Sequence, residues 1–448
     1  MSAYRERNKP AHSTLARAIA LALLVTTGAA SAAQFDYALY AGIEHSDNIT
    51  LSTNNPVSQN VFIPGVNFTY SQLGSTVQAK VAGSLEYRDY LGNTFDNQTQ
   101  GQLAAQANWT VMPQRLDLSV EDYAGIQPVD SLASNAPNNQ QQTNVLSVGP
   151  ILHFRMGDAM RGQAEVRYVN SYASKVKDFN SSRGVGAFRL FRDLSPTAQI
   201  SANLEYQHVD FNQSLSGPNY DRIEGYARYT SKLAHFTTDV SLGYSRLKFK
   251  QGAGSDSAPL VRLALGWQPN LHNEVILSGS YQYADAAQDI AQQPYQPFLD
   301  QNQPVAATLQ GVSVGNVVVS SQVYLERRLD LSYAYRGERF SAGVTPGYRR
   351  LGYINNRTLN QAGRSLGFNA EYRLRPTLTL SGFAYGEKLD YSTLNRTDKT
   401  YRYGLDLAHQ WTPHWSWHAS VTYQRRNSDA VNQSYHETAF FLGVVYRR

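Results

Sequence analysis

From residue 33 onward the chain alternates apolar and polar positions with a period of two. In 101–120, Leu103, Ala105, Ala107, Trp109 and Val111 alternate with Gln102, Ala104, Gln106, Asn108 and Thr110. Met112-Pro113-Gln114 interrupts the run, and Leu116, Leu118 and Val120 resume it. Successive side chains of a strand point to opposite faces, so the stretch predicts two strands joined by a tight turn. The same pattern recurs in Val77–Arg88, Ala198–Gln207, Phe236–Ser245, Leu366–Leu374 and Phe440–Tyr446. Runs of about 10–14 residues exceed the usual ~5–6 of globular strands and suit a tilted strand that crosses a bilayer.

The connections alternate in length. Short breaks fall near 72–75, 112–114, 156–158, 193–196, 231–234, 269–272, 336–338, 375–377 and 412–414. Longer polar ones lie at 46–59, 91–97, 126–143, 174–180, 211–219, 250–257, 285–315, 351–361, 390–397 and 427–433. Nine short and ten long connections predict an all-β fold: a transmembrane antiparallel up-and-down β-barrel of about 20 strands. One hairpin fewer or more would make it 18 or 22 strands. Short turns then lie on the periplasmic rim and long loops outside.

A closed sheet places its apolar face in lipid and leaves no strand edge unpaired in hydrocarbon. At ~4.8 Å between strands and a tilt of about 40°, twenty strands enclose a cylinder roughly 40 Å across. Trp109, Trp267, Trp411, Trp415 and Trp417 sit beside short turns and fit a periplasmic aromatic girdle. Tyr87, Tyr206, Tyr244, Tyr281, Tyr283, Tyr401, Tyr403 and Tyr423 would form the opposite girdle.

Composition adds the compartment. Residues 1–32 carry Arg5, Arg7, Lys9 and Arg17, then the apolar run 18–25, then Ala30-Ser31-Ala32. That order predicts a secretory signal peptide, leaving 33–448 as a single outer-membrane barrel domain. The formal charge of +5 is largely this leader, because 1–32 contributes four bases against Glu6. The remainder is near neutral, and nucleic-acid binding is not expected. There is no cysteine, which excludes disulfides, thiolate metal sites and a lipid-modified Cys. A mean hydropathy of −0.44 beside 30 Tyr, 17 Phe and 5 Trp fits a wall with one wet and one lipid face.

Few residues suggest chemistry. Gly311-Val312-Ser313-Val314-Gly315 matches a nucleophile elbow but lacks the strand–turn–helix setting that exposes the serine, so no enzyme activity is expected. His153, His208, His235 and His409 have no metal-ligand spacing, and no cofactor is expected. The candidate lumen-lining charges are Lys80, Arg88, Glu165, Arg167, Arg189, Glu205, Arg228, Arg262, Glu371 and Arg373. Mixed signs predict cross-strand neutralisation rather than strong ion selectivity. Loop 285–315 has no Lys or Arg and carries Gln293, Tyr295, Gln296 and Phe298 between prolines. Amides and aromatic faces suit sugar rings, and equally suit a flexible surface loop.

"GIEHSDNITLS" (42–52), "SLEYRDYLGN" (84–93) and "NVLSVGPILHFRMG" (144–157) resemble a family of porin-like outer-membrane barrels encoded with exopolysaccharide and exosortase (PEP-CTERM) gene clusters. The resemblance implies a role in exopolysaccharide export at the Gram-negative outer membrane. It transfers no catalytic or ligand residues. Residues 441–446 resemble the terminal signal read by the barrel assembly machinery, although Arg447-Arg448 follows. The expected function is therefore a channel in exopolysaccharide export. The alternatives are a general diffusion porin and a non-catalytic scaffold for an export complex. Expected partners are outer-membrane lipid and lipopolysaccharide, the assembly machinery, polysaccharide and periplasmic export proteins.

Overall fold

The computed structural model describes residues 33–157, 159–213, 217–250, 254–292 and 318–448. The leader 1–32, Ser313 and the loop residues Gln293, Tyr295, Gln296 and Phe298 lie outside the described residues. The first ten strands are β1 (Ala33–Ser46), β2 (Gln59–Leu73), β3 (Val77–Tyr90), β4 (Gln98–Met112), β5 (Leu116–Pro128), β6 (Gln140–Arg155), β7 (Met160–Ala173), β8 (Ser181–Ser195), β9 (Ala198–Phe211) and β10 (Tyr220–Lys232). The second ten are β11 (Phe236–Phe249), β12 (Ser255–Asn270), β13 (Asn273–Asp285), β14 (Val323–Arg336), β15 (Phe340–Tyr353), β16 (Gln361–Arg375), β17 (Leu378–Tyr391), β18 (Arg396–Gln410), β19 (Trp415–Ser428) and β20 (Tyr435–Arg447). A short helix, α1 (Ala286–Gln292), follows β13.

Every strand pairs antiparallel with its sequence neighbour, and β20 returns to β1, with Gly42 opposite Gly443 and Ile43 opposite Leu442. The result is a closed 20-stranded barrel. Closure removes the edge that hydrocarbon would not tolerate. At this seam the Phe441 ring lies over both glycines, and a Cβ at either would collide with it. The aromatic thus covers backbone that glycine leaves bare. Turns on one rim are tight. Arg115 donates its backbone N–H to the Met112 carbonyl at 3.0 Å, with Gln114 at φ 60°. Gly157, at φ 80°, takes the left-handed position of the β6–β7 turn that a Cβ would disfavour.

The apolar register faces outward. Leu204, Leu242, Leu366, Phe440 and Leu442 are exposed, as are Trp109, Trp267, Trp411 and Trp415 at the short-turn rim. Exposed leucines in this number belong in lipid rather than water. Tyr206, Tyr244, Tyr401 and Tyr403 are exposed toward the other rim, but Tyr283 is not. It is buried with Val209, Phe211, Tyr220 and Leu247, because the chain turns inward just after it. Among the described residues no helix is long and apolar enough to cross a membrane, so crossing falls to the strands. Detergent-folded protein should give a β-dominated circular dichroism spectrum and migrate differently on gels with and without boiling. A helical spectrum, or heat-independent mobility of folded material, would contradict the closed barrel.

Candidate functional site: a constricted lumen

Among the described residues, two long-loop connections are tied across the lumen by polar contacts, and Ile49 and Leu51 of the β1–β2 connection are buried beside the second of them. The first carries α1. Asp285 caps the helix, its Oδ1 accepting the Gln288 backbone N–H at 2.9 Å. Ala286, Ala287 and Ile290 pack on Val145, Ala173 and Phe179, which belong to β6, β7 and the loop after β7. The helix therefore reaches across from β13 to the far wall. Polar ties fix it on its other sides. Arg183 of β8 donates to Asp285 at 2.5 Å, and Tyr220 of β10 donates to the same oxygen at 2.5 Å. Arg222 donates to Gln288 at 2.9 Å, and Tyr324 donates to Asp289 at 2.5 Å. Arg349 of β15 bridges Asp289 and Glu326, the latter at 2.8 Å. Burial pushes the Asp289 carboxyl above its usual range, against the pull of Arg349.

The second inward loop joins β5 to β6. Arg396 donates to the Leu132 carbonyl at 2.6 Å, and Arg426 donates to the Ala133 carbonyl at 2.8 Å. Both arginines also pair with Asp398, at 2.9 and 2.6 Å. The loop thus spans from β5–β6 to β18–β19. Between it and the wall formed by β1, β3, β4 and β17–β20 lies a cavity of about 250 Å³. Its lining joins carboxylates (Glu44, Glu86, Glu387, Glu437), amides (Gln100, Gln102, Gln140) and the aromatic residues Tyr90, Phe383 and Phe441, of which Tyr90 and Phe441 are buried in the wall and Phe383 is part-exposed. Arg88 is neutralised there by Glu44 at 2.7 Å and Glu86 at 2.9 Å. Glu437 accepts from Gln424 at 2.5 Å and from Ser46.

The charges named from the sequence lie on the inward register of β3, β7–β10, β12 and β16, opposite the exposed apolar side chains. Glu165, Arg167, Arg189 and Glu205 form one cluster: Arg167 pairs with Glu165 at 2.7 Å, and both arginines approach Glu205 at 3.7 and 3.8 Å. Arg189 also donates to Glu165. Arg228 donates to Asp239 at 2.8 Å, Arg262 pairs with Glu224 at 2.9 Å, and Arg373 approaches Glu371 at 3.8 Å. Lys80 is exposed and forms no ion pair among the described residues. The candidates therefore stand in several separate groups around the wall.

Sequence reading missed the residues that hold the loops: Arg183, Asp285, Asp289, Arg349, Arg396, Asp398 and Arg426. One signal was present. Asp285 followed by Ala286-Ala287-Gln288 is an N-cap with a glutamine at the third helical position. Among the described residues no group of three or more His, Asp or Glu side chains could hold a metal ion.

With alternating short turns and long loops, an outward apolar wall and a wet interior, the geometry is that of a porin-like outer-membrane barrel. Residues 361–448, which form β16–β20, match the family model described as "putative beta-barrel porin 2". The match agrees with the porin-like barrels to which the sequence motifs pointed. No curated protein matches the sequence. Among solved structures, a variant of the ferric enterobactin receptor of Pseudomonas aeruginosa is similar at 10% identity and a TM-score of 0.47, covering 94% of this chain and 81% of that one. The FrpB iron transporter of Neisseria meningitidis is similar at 11% identity and a TM-score of 0.45, covering 96% and 83%. Pseudomonas aeruginosa OpdK, solved with vanillate, is similar at 9% identity and a TM-score of 0.37, covering 93% and 99%.

Proposed function

We propose that the barrel is a channel for neutral or weakly charged saccharides and acts in exopolysaccharide export. The observation that carries this reading is the cavity beside the β5–β6 loop. It sets carboxylates and amides, which exchange hydrogen bonds with hydroxyl groups, beside the part-exposed ring of Phe383. A sugar presents those two surfaces, a rim of hydroxyls and an apolar ring face. Five carboxylates (Glu44, Glu86, Glu387, Asp398, Glu437) and three arginines (Arg88, Arg402, Arg426) line the cavity, so it has no excess of positive charge to select an anion. Exopolysaccharide enters from the family resemblance. At about 250 Å³ the cavity lies just below ordinary small-molecule sites of roughly 300–1,000 Å³, and it would hold a short segment of a glycan at a time. The same narrowness favours a second reading, a diffusion porin for small polar solutes.

Two measurements test the proposal. Neutral oligosaccharides should block the ion current of the reconstituted barrel reversibly. Phe383→Ala should weaken that block about three- to tenfold, taking the ring's contact with a sugar face as roughly equal to the 0.5–1.5 kcal/mol of an aromatic pair. Absence of block in the wild-type channel would remove the saccharide reading. In cells, deleting the gene should cause polymer to accumulate in the periplasm and disappear from the surface. Unchanged polymer with reduced uptake of small solutes would favour the porin.

A further inference from the structure

Six neighbouring strands carry one exposed cation each on the outward face, near the long-loop rim: Arg327 on β14, Arg350 on β15, Arg364 on β16, Lys388 on β17, Lys399 on β18 and Arg425 on β19. The registers place them side by side. Arg327 is directly opposite Arg350, Arg364 opposite Lys388, and Lys388 opposite Lys399. Arg350 and Arg364 are diagonal neighbours, as are Lys399 and Arg425. Like charges directly opposite on an antiparallel pair repel at a Cβ separation of about 4.5–5.5 Å. The barrel supplies little to offset this. Lys388 pairs with Asp390 at 3.0 Å, and among the described residues none of the other five forms an ion pair. Arg327 instead lies over the Tyr281 ring, 5.3 Å from its centroid.

The stripe of cations facing cations is confined to these strands. At comparable height on β6 and β7 the outward positions hold Asn144 and Asn170, and the exposed outward Arg246 and Lys248 of β11 stand opposite Ile223 and Asp221 of β10 rather than another cation. It also has a fixed relation to the apolar belt. Two residues toward the barrel middle, about 7 Å along each strand, stand Leu329, Tyr348, Leu366 and Tyr401, all exposed. A ligand matching both bands carries several negative charges joined directly to apolar chains.

We infer that the outward face of β14–β19 binds a phosphorylated glycolipid of the outer leaflet, its phosphates seated on the arginine and lysine stripe and its acyl chains on the leucines and tyrosines below. Arginine forks match phosphate oxygens bidentately, and adjoining cations allow one phosphate to bridge two strands. The bound lipid would convert the cross-strand repulsion into attraction through a shared anion. The inference is independent of what passes through the lumen.

The test uses the full-length folded barrel in detergent, with lipid A and its enzymatically dephosphorylated form as probes, read by native mass spectrometry. Wild-type protein should retain lipid A about a hundredfold better than the dephosphorylated form. The combined variant R350Q/R364Q/K388Q should lose about a hundredfold in retention, taking each surface cation at roughly one kcal/mol. Its heat-modifiable mobility should be unchanged. Inorganic phosphate in large excess should leave the lipid bound, because the acyl contacts persist. Equal retention of both lipids by the wild-type barrel would overturn the site without reference to any variant. Undiminished retention by the folded triple variant would overturn it too, as would displacement by inorganic phosphate alone.

Discussion

Asp285→Asn should loosen the lumen constriction by about 3–5 kcal/mol, the cost of leaving one member of a buried ion pair without its partner. Arg183 and Asp285 are both nearly inaccessible, at 4% and 2% exposure, and meet at 2.5 Å. Tyr220 donates to the same carboxylate oxygen, so the substitution also weakens a second tie. Asparagine remains a good N-cap and keeps the helix start intact, which isolates the charge effect. Asp285→Ala removes the cap as well and should cost about 1 kcal/mol more. The expected consequence is partial release of α1 from the lumen. Single-channel recordings should show higher and noisier conductance, and proteolysis of the folded barrel should newly cut within the helix, 286–292. Arg183→Gln combined with Asp285→Asn should recover much of the loss, because neither buried charge is then stranded. Wild-type conductance and protease resistance in Asp285→Asn would show that the apolar contacts with Val145, Ala173 and Phe179 and the ties to Gln288 and Asp289 hold the helix without the Arg183–Asp285 pair.

Short-range interactions were legible in the sequence and long-range ones were not. The barrel wall was legible because it is built from short-range rules. Alternation at Leu103–Val111 marks a strand, and Met112-Pro113-Gln114 marks its end. Each strand then pairs with the next, so strand count and closure follow from local pattern. The lumen was not legible in the same way. Arg396 reaches the Leu132 carbonyl across 264 residues, and Arg426 reaches Ala133 across 293. No period of two records such a contact. Helix α1 has only seven residues inside a long polar connection, too few for a helical period to stand out. Tyr283 shows the boundary between the two regimes. Its sequence position suggests a membrane-facing aromatic, yet the inward turn at Asp285 buries it. The outward cations are an intermediate case. Arg364 shares the parity of Leu366 and Phe368 and is thereby outward from sequence, but its placement opposite Lys388 required the register.

That register makes the second large effect predictable. Leu204→Arg should destabilise the barrel by about 2–4 kcal/mol, because a guanidinium near the bilayer midplane is far from any headgroup. Leu204 is the seventh residue of the fourteen in β9 and is 56% exposed on the lipid face. Its cross-strand neighbours are Phe188 on β8 and Gly225 on β10, and neither offers an acid to the new charge. Depth should grade the cost. Tyr206→Arg lies one outward position nearer the long-loop rim and should cost less. His208→Arg, beside Asp221 at that rim, should cost close to nothing. An inward control isolates the face from the charge itself. Thr230 on β10 stands opposite Asp239 in the wet lumen, so Thr230→Arg should cost under about 1 kcal/mol. Denaturant titration of the four variants in lipid vesicles measures the series. A steep fall from Leu204 to His208 with a small cost at Thr230 fits a lipid-facing register of β9. Since a one-residue slip exchanges the two faces of a strand, equal costs at Leu204 and Thr230 would mean that the leucine does not face lipid.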